Sequence, residues 1–258
     1  MRDALRGDAL VLCLALMNSR TPDVPAIAAA AGYDAIYVDL EHTATSLETA
    51  AMLCASAIGA GISALIRVPS HDHSVIARAL DCGASGIIVP HVNSADEARG
   101  VVEAARFPPV GHRSISGPNA LSGFTARSAV QLTEVLEQRT VVAVMVETPQ
   151  AVRDIDVIAA VEGIDMVLIG VSDLTAEMGI HGQYENERFR HAVDSVAAAC
   201  RTHGVALGVA GIKSLELLKW LVGLGLRFIS AGTDVGMMTE AATARAQALR
   251  GLDGSATA

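Results

Sequence analysis

The stretch YVDLEHTATS, residues 37–46, starts as an apolar strand and then places Asp39, Glu41 and His42 within four positions, with no Lys or Arg close by in sequence. Two carboxylates and an imidazole in that order can bind a cation or move protons. Left without a counter-charge, such groups are costly to take out of water. Other apolar runs end in the same way: Arg67 in ALIRVP, Glu147 after VVAVMV, and Asp173 after VLIGVS. Each has a plain structural reading too. Asp39 could cap a turn, Glu41 could sit in solvent, His42 could be a satisfied loop histidine, and Arg67 could be an ion-pair partner. Glu147 points most sharply to chemistry, because an apolar run delivers it where Pro149 and Ala151 open a helix. Asp173 also reads as the N-cap of a helix beginning near Leu174, and the N–H groups of such a turn can hold an anionic ligand. Two hard carboxylates on neighbouring strands, Glu147 and Asp173, suit Mg2+ or Mn2+ with water completing an octahedron. A structural zinc would want Cys and His.

Those residues need a scaffold that gathers strand ends. Short β-rich runs at 10–16, 34–40, 62–68, 86–90, 140–146, 165–170, 205–210 and 227–231 alternate with amphipathic stretches. The helices are expected at 23–31, 46–58, 73–83, 94–105, 128–138, 149–161, 186–203, 214–224 and 236–250. Several end at a glycine able to adopt the left-handed C-terminal conformation: Gly32, Gly83, Gly163, Gly204 and Gly225. Eight βα units without a linker predict an α/β fold, a single (β/α)8 TIM barrel over 1–250, with a doubly wound sheet as the alternative and 251–258 as a flexible tail. In a barrel the βα loops at the strand C-termini carry the chemistry, so all the polar strand ends would meet at one mouth. One long irregular piece, 107–127, marks a functional or interface element.

Composition narrows the partners. The chain has 258 residues, 51% hydrophobic and 3% aromatic, and a net charge of -9. That acidity argues against a nucleic-acid surface or an acidic membrane surface and for a small-molecule partner. Cys13, Cys54, Cys82 and Cys200 form no CxxC pair and read as core thiols in a reducing cytoplasm. ALVLCLALM (9–17) resembles a signal peptide, but Asp3 and Asp8 spoil its positive flank, and no apolar run has the ~20 residues of a spanning helix. Weaker motifs remain. SHDHS (70–74) holds an HxH pair in a turn where Asp72 can cap a helix, and GVAG (208–211) and SAGTD (230–234) stand where barrels often bind phosphate.

The blocks GYDAIYVDLEH, LIRVPSHDHSVIARALDCGASGIIVPHVNSADEAR, RFPPVGHRSISG, VMVETPQAV and VEGIDMVLIGVSDLTAEMG, taken in order, resemble the metal-dependent pyruvate aldolases of the HpcH/HpaI family over about residues 20–240. The resemblance implies a (β/α)8 barrel, usually a hexamer. It also implies a divalent ion, Mg2+, Mn2+ or Co2+, and reversible cleavage of 4-hydroxy-2-oxo acids into pyruvate or hydroxypyruvate and an aldehyde through a metal-stabilised enolate. Carried onto this chain, it makes Glu147 and Asp173 metal ligands, Arg67 the holder of the ketone oxygen and His42 the acid/base group. Asp81 would support His42 from a neighbouring subunit, Asp39 would share the polar cluster, and backbone N–H groups of Ser172 and Asp173 would receive the substrate carboxylate.

The chemistry agrees with this. An enolate oxyanion needs positive charge placed beside it in advance. The only lysines, Lys213 and Lys219, lie in the stretch entering and forming the helix after strand seven, poorly placed for a Schiff base. Two departures stand out. Met145 occupies the substrate-contacting position where the family commonly has Gln, and 113–127 lacks the aromatic, arginine-rich character of familiar members. An acyl-CoA lyase of the citrate lyase β or malyl-CoA type would want clustered basic residues, and a non-catalytic oxo-acid binder would have little need of His42.

Overall fold

Runs such as VVAVMV have no polar alternation, and that is the signature of strands buried on both faces. The computed structural model describes residues 1–7 and 9–252, and in it eight such strands close into a parallel barrel in sequence order. They are β1 (Val11–Leu16), β2 (Ala35–Asp39), β3 (Ser63–Arg67), β4 (Gly86–Val89), β5 (Val141–Val146), β6 (Met166–Gly170), β7 (Ala206–Ala210) and β8 (Leu226–Thr233). The closing pairs Val11↔Phe228 and Cys13↔Ser230 join β1 to β8 and exclude the doubly wound sheet.

Around the barrel run α1 (Arg2–Arg6), α2 (Asp23–Ala30), α3 (Leu47–Gly59), α4 (His73–Asp81), α5 (Ala95–Ala105) and α6 (Ala129–Arg139). After them come α7 (Pro149–Arg153), α8 (Ile155–Ala159), α9 (Val171–Glu177), α10 (Glu187–His203), α11 (Leu215–Gly223) and α12 (Asp234–Arg250). Side-chain oxygens of Ser46, Asp72, Ser94, Ser128, Thr148, Asn186, Ser214 and Thr233 cap eight of these helices at their N-termini. The expected helix 149–161 is two helices, interrupted at Asp154, whose φ of -95° and ψ of 7° leave the α-helical path. The short α1 lacks an apolar period and was not foreseen. Leu5 on it joins the barrel's inner cluster, and Arg2 pairs with Asp165 at 2.7 Å.

Alternation sorts each strand. Ala35, Tyr37, Leu65, Ile88, Ala143, Met145, Met166 and Leu168 fill the barrel interior, while Ile36, Val38, Ile66, Val144, Val146, Val167 and Ile169 face the helices. Continued past the strand ends, the same parity turns Asp39, Arg67 and Glu147 inward at the mouth. Below them the interior is tightly filled: a Cβ on Gly208 would come 2.9 Å from Leu168.

At the opposite end, the buried Arg106 guanidinium binds Asp165, Glu137 and the carbonyls of Gly163 and Thr140, fixing the start of the 107–127 segment. At the β1–β8 seam, Asp234 opens α12 and accepts hydrogen bonds from the backbone N–H groups of Met17, Asn18, Ser19 and Val235. Beyond that first turn α12 projects from the barrel, and none of its residues is buried. Of the tail expected at 251–258, residues 253–258 lie outside the described residues.

Candidate active site at the barrel mouth

Strand register places the first pair. Asp39 lies opposite Arg67 on adjacent strands, and Arg67 donates from Nε to Oδ1 at 2.9 Å and from Nη2 to Oδ2 at 2.8 Å. Asp39 is fully buried, and its Oδ1 also accepts the N–H of Glu41 at 3.0 Å, so both oxygens are committed to holding neighbours. Burial alone would lower the Arg67 pKa. Its hydrogen bonds to Asp39 and the charges of Asp39 and Glu41 more than reverse this, and the guanidinium stays charged. Arg67 Nη1 also stands 3.2 Å from Glu41 Oε2, a buried oxygen that accepts no hydrogen bond. His42 is half exposed, with Nε2 3.6 Å from that same oxygen.

Glu147 directly follows β5, with only 2% of its surface exposed. Burial pushes its carboxyl above the ordinary range, and the nearby charges of Glu41 and Asp173 push it further, against the lowering effect of His91. The carboxylate occupies space that only a glycine leaves open: a Cβ on Gly170 would lie 2.6 Å from Glu147 Oε1 and 2.7 Å from its Cγ. Gly170 is also the N-cap of α9, which begins at Val171, three residues earlier than expected. Asp173 is therefore not the cap. It sits exposed in the first turn, beside Ser172, among N–H groups that have no partner within the helix.

These residues fit a divalent cation by their chemistry. The charge of Asp173 reaches Glu147, Gly170 leaves room for the carboxylate, and Glu41 adds a buried oxygen without a hydrogen bond. Among the described residues no group of three or more His, Cys, Asp or Glu side chains is arranged as a metal cage. Met145 lies directly beneath, buried in the inner layer, and gives the site an apolar floor where an amide would offer hydrogen bonds.

The structure brings Asp39, Arg67, His42, Glu147 and Asp173 to one mouth. It does not bring Asp81 there. Asp81 ends α4, and so lies at the far end of its own barrel, where Arg113 and Ser116 bind its carboxylate at 2.8 and 2.9 Å. His71 donates to the Pro90 carbonyl and Asp72 caps α4, so both have local work. In SAGTD, the Asp234 carboxylate is taken up by the N–H groups of Met17, Asn18 and Ser19 across the β1–β8 seam. Lys213 and Lys219 are exposed, in the loop before α11 and on that helix. The four cysteines are free; burial pushes the Cys200 thiol up to about 12 and Cys54 higher still, so these two carry little thiolate.

One mouth residue escaped the sequence reading. His91 follows Pro90 after β4, where alternation from inward Ile88 would point it away from the mouth. A left-handed backbone, φ 55°, turns it back. Its N–H donates to Glu147 Oε2 at 2.8 Å, and its ring nitrogens lie 3.3 Å from Glu147 Oε2 and 3.2 Å from Glu41 Oε1.

A closed parallel barrel with buried carboxylates, an ion-paired arginine and histidines at its C-terminal mouth has the architecture of a (β/α)8 enzyme. The family can be named as well: residues 13–241 match the model of HpcH/HpaI aldolase/citrate lyase, and the chain belongs to that family. The chain is 37% identical over 236 residues to a 4-hydroxy-4-methyl-2-oxoglutarate aldolase of Chaetomium globosum, covering 90% of this chain and 88% of that one. It is 31% identical to a hydroxypyruvate/pyruvate aldolase of Roseovarius nubinhibens, covering 92% and 90%. The crystal structure of an HpcH/HpaI aldolase from Desulfitobacterium hafniense superposes with a TM-score of 0.91 at 29% identity, covering 97% of this chain and 96% of that one.

Proposed function

We propose that this chain is a divalent-metal-dependent aldolase, a carbon–carbon lyase that reversibly cleaves 4-hydroxy-2-oxo acids into pyruvate or hydroxypyruvate and an aldehyde. Its place among aldolases rests on the family and the named relatives. The observation that carries the reaction is the Glu147 carboxylate, buried over Gly170 within reach of Asp173's charge. A divalent ion held by Glu147 and Asp173, proposed as Mg2+, Mn2+ or Co2+, would supply positive charge beside the developing oxyanion.

The chain's own groups do the rest. Arg67 has five N–H donors; two are given to Asp39 and a third faces Glu41, which leaves others for the ketone oxygen. The N–H groups of Ser172 and Asp173, at the start of α9, receive the substrate carboxylate. His42 takes the proton of the C4 hydroxyl as the C3–C4 bond breaks. The aldehyde leaves, and the electron pair stays on the three-carbon fragment as an enolate. His42 then returns its proton to C3 of the enolate, giving the 2-oxo acid and regenerating the neutral imidazole.

The finer proposals concern setting. No helix among the described residues is long and apolar enough to cross a membrane, and the cytoplasm is the proposed compartment. A homo-oligomer, a hexamer by resemblance, is supported by α12, which buries nothing, and by Asp81, which needs a neighbour to reach a mouth.

The test incubates cation-stripped protein with pyruvate or hydroxypyruvate and a panel of aldehydes, adding Mg2+ or Mn2+ with or without EDTA. Aldol products that depend on the cation are expected. Product formation unaffected by EDTA would refute the mechanism.

A further inference from the structure

His91 has no part in the mechanism above, yet it touches two of the site's carboxylates. The two oxygens of Glu147 have different surroundings. Oε2 takes the backbone N–H of His91 at 2.8 Å and faces ring Nδ1 at 3.3 Å. Oε1 lies over Gly170, three residues before Asp173. On the other side of the ring, Nε2 faces Glu41 Oε1 at 3.2 Å. The left-handed turn at φ 55° brings the ring round to the same oxygen that the N–H already holds, and such a conformation in a residue with a Cβ persists only where its surroundings enforce it.

We infer that His91 is a positioning residue: it holds Glu147 Oε2 through its N–H and ring, Glu41 steers the ring, and Oε1 is thereby presented toward Asp173 as the oxygen offered to a divalent cation. This deepens the metal-dependent reading and rests on it. A glutamate side chain left loose must be ordered when the cation binds, which costs rotamer entropy, and it can turn away or chelate with both oxygens. A carboxylate pinned through one oxygen has one arrangement left. Partners that orient a ligand in this way typically account for about 10–100-fold in metal affinity. The αL turn, the second imidazole at the mouth and the burial of Glu41 then share one purpose.

The test measures Mn2+ binding to cation-stripped protein by calorimetry, and the spectrum of bound Mn2+ by electron paramagnetic resonance, for wild type, His91→Gly, His91→Asn and Glu41→Gln. Glycine and asparagine both accept the left-handed turn, so the fold and the N–H contact are kept. Glycine removes the ring, whereas asparagine returns a short donor. His91→Gly is expected to weaken Mn2+ binding about 10–100-fold and alter the spectrum, at an unchanged unfolding midpoint. His91→Asn should recover part of the loss, and Glu41→Gln should weaken binding less than His91→Gly. If wild type binds Mn2+ and both His91 variants bind it equally well with the same spectrum, the role of His91 is overturned and the metal reading stands. If wild type itself binds no Mn2+, both fall.

Discussion

Arg67 and Asp39, opposite each other on β3 and β2, form a two-pronged ion pair of 2.9 and 2.8 Å in which the aspartate is wholly buried. Removing one partner of a buried pair strands the other charge and typically costs on the order of 3–5 kcal/mol. Asp39→Ala is expected to lower the urea midpoint accordingly and to remove activity, because Arg67 loses its aim. Arg67→Lys should keep more stability than activity, since an ammonium cannot copy the fork. Equal stability of Asp39→Ala and wild type would refute the argument.

Gly170 is predicted to be irreplaceable for activity and dispensable for folding. The atoms that a Cβ would strike belong to the Glu147 side chain, which can move aside, but only away from its present place. Gly170→Ala should unfold like wild type while losing about 100-fold in kcat/KM, the scale that a displacement of about 1 Å can reach. Glu147→Ala and Asp173→Ala should abolish cation-dependent turnover altogether.

His42→Ala is expected to slow exchange of pyruvate methyl protons with deuterated water by about 100-fold or more, in line with loss of a positioned acid/base group. Lys213→Ala and Lys219→Ala should leave exchange and cleavage intact, and borohydride should trap no pyruvate adduct. A trapped lysine adduct would replace the metal mechanism with a Schiff base.

Acid should loosen the β1–β8 seam. Burial pushes the Asp234 pKa up, but hydrogen bonds from Ser19 and the backbone N–H groups of Met17, Ser19 and Val235 outweigh it and hold the carboxyl below its ordinary value of 3.8. The stability so gained is present above that ordinary value and is lost as pH falls through the lowered one. Urea midpoints of wild type and Asp234→Asn are expected to differ at neutral pH and to converge as pH drops through that window. A gap that persists undiminished in acid would contradict it.

Most of the barrel could be read from apolar runs and the glycines and caps between them, because strands buried on both faces leave an unmistakable pattern. Asp39, Arg67 and Glu147 were visible for a related reason: a charged group at the end of a buried run is costly to desolvate unless it pairs with another charge or binds a ligand. His91 was hidden because two-residue alternation points it away from the mouth, and a single left-handed residue is not encoded in periodicity. The N-cap reading of Asp173 fails because α9 starts at Val171 with Gly170 as its cap, a start that carries no side-chain capping signal. Helix α1 is too short to show a period, and the break at Asp154 lies inside an otherwise continuous helical pattern. Asp81 enters only by resemblance, as a residue reaching a neighbouring subunit's mouth, and its place at the far end of its own barrel means it serves no mouth of its own.

Met17 and the carboxylate of Asp234 that ties down its N–H are 217 positions apart in the chain. A polypeptide emerging from a ribosome can therefore finish this seam only after the chain from Met17 through Asp234 has been made. Until then the early strands wait as an open sheet with an unpaired edge, the state most exposed to sticking to other chains. Late closure leaves the first strand waiting on residues made long after it.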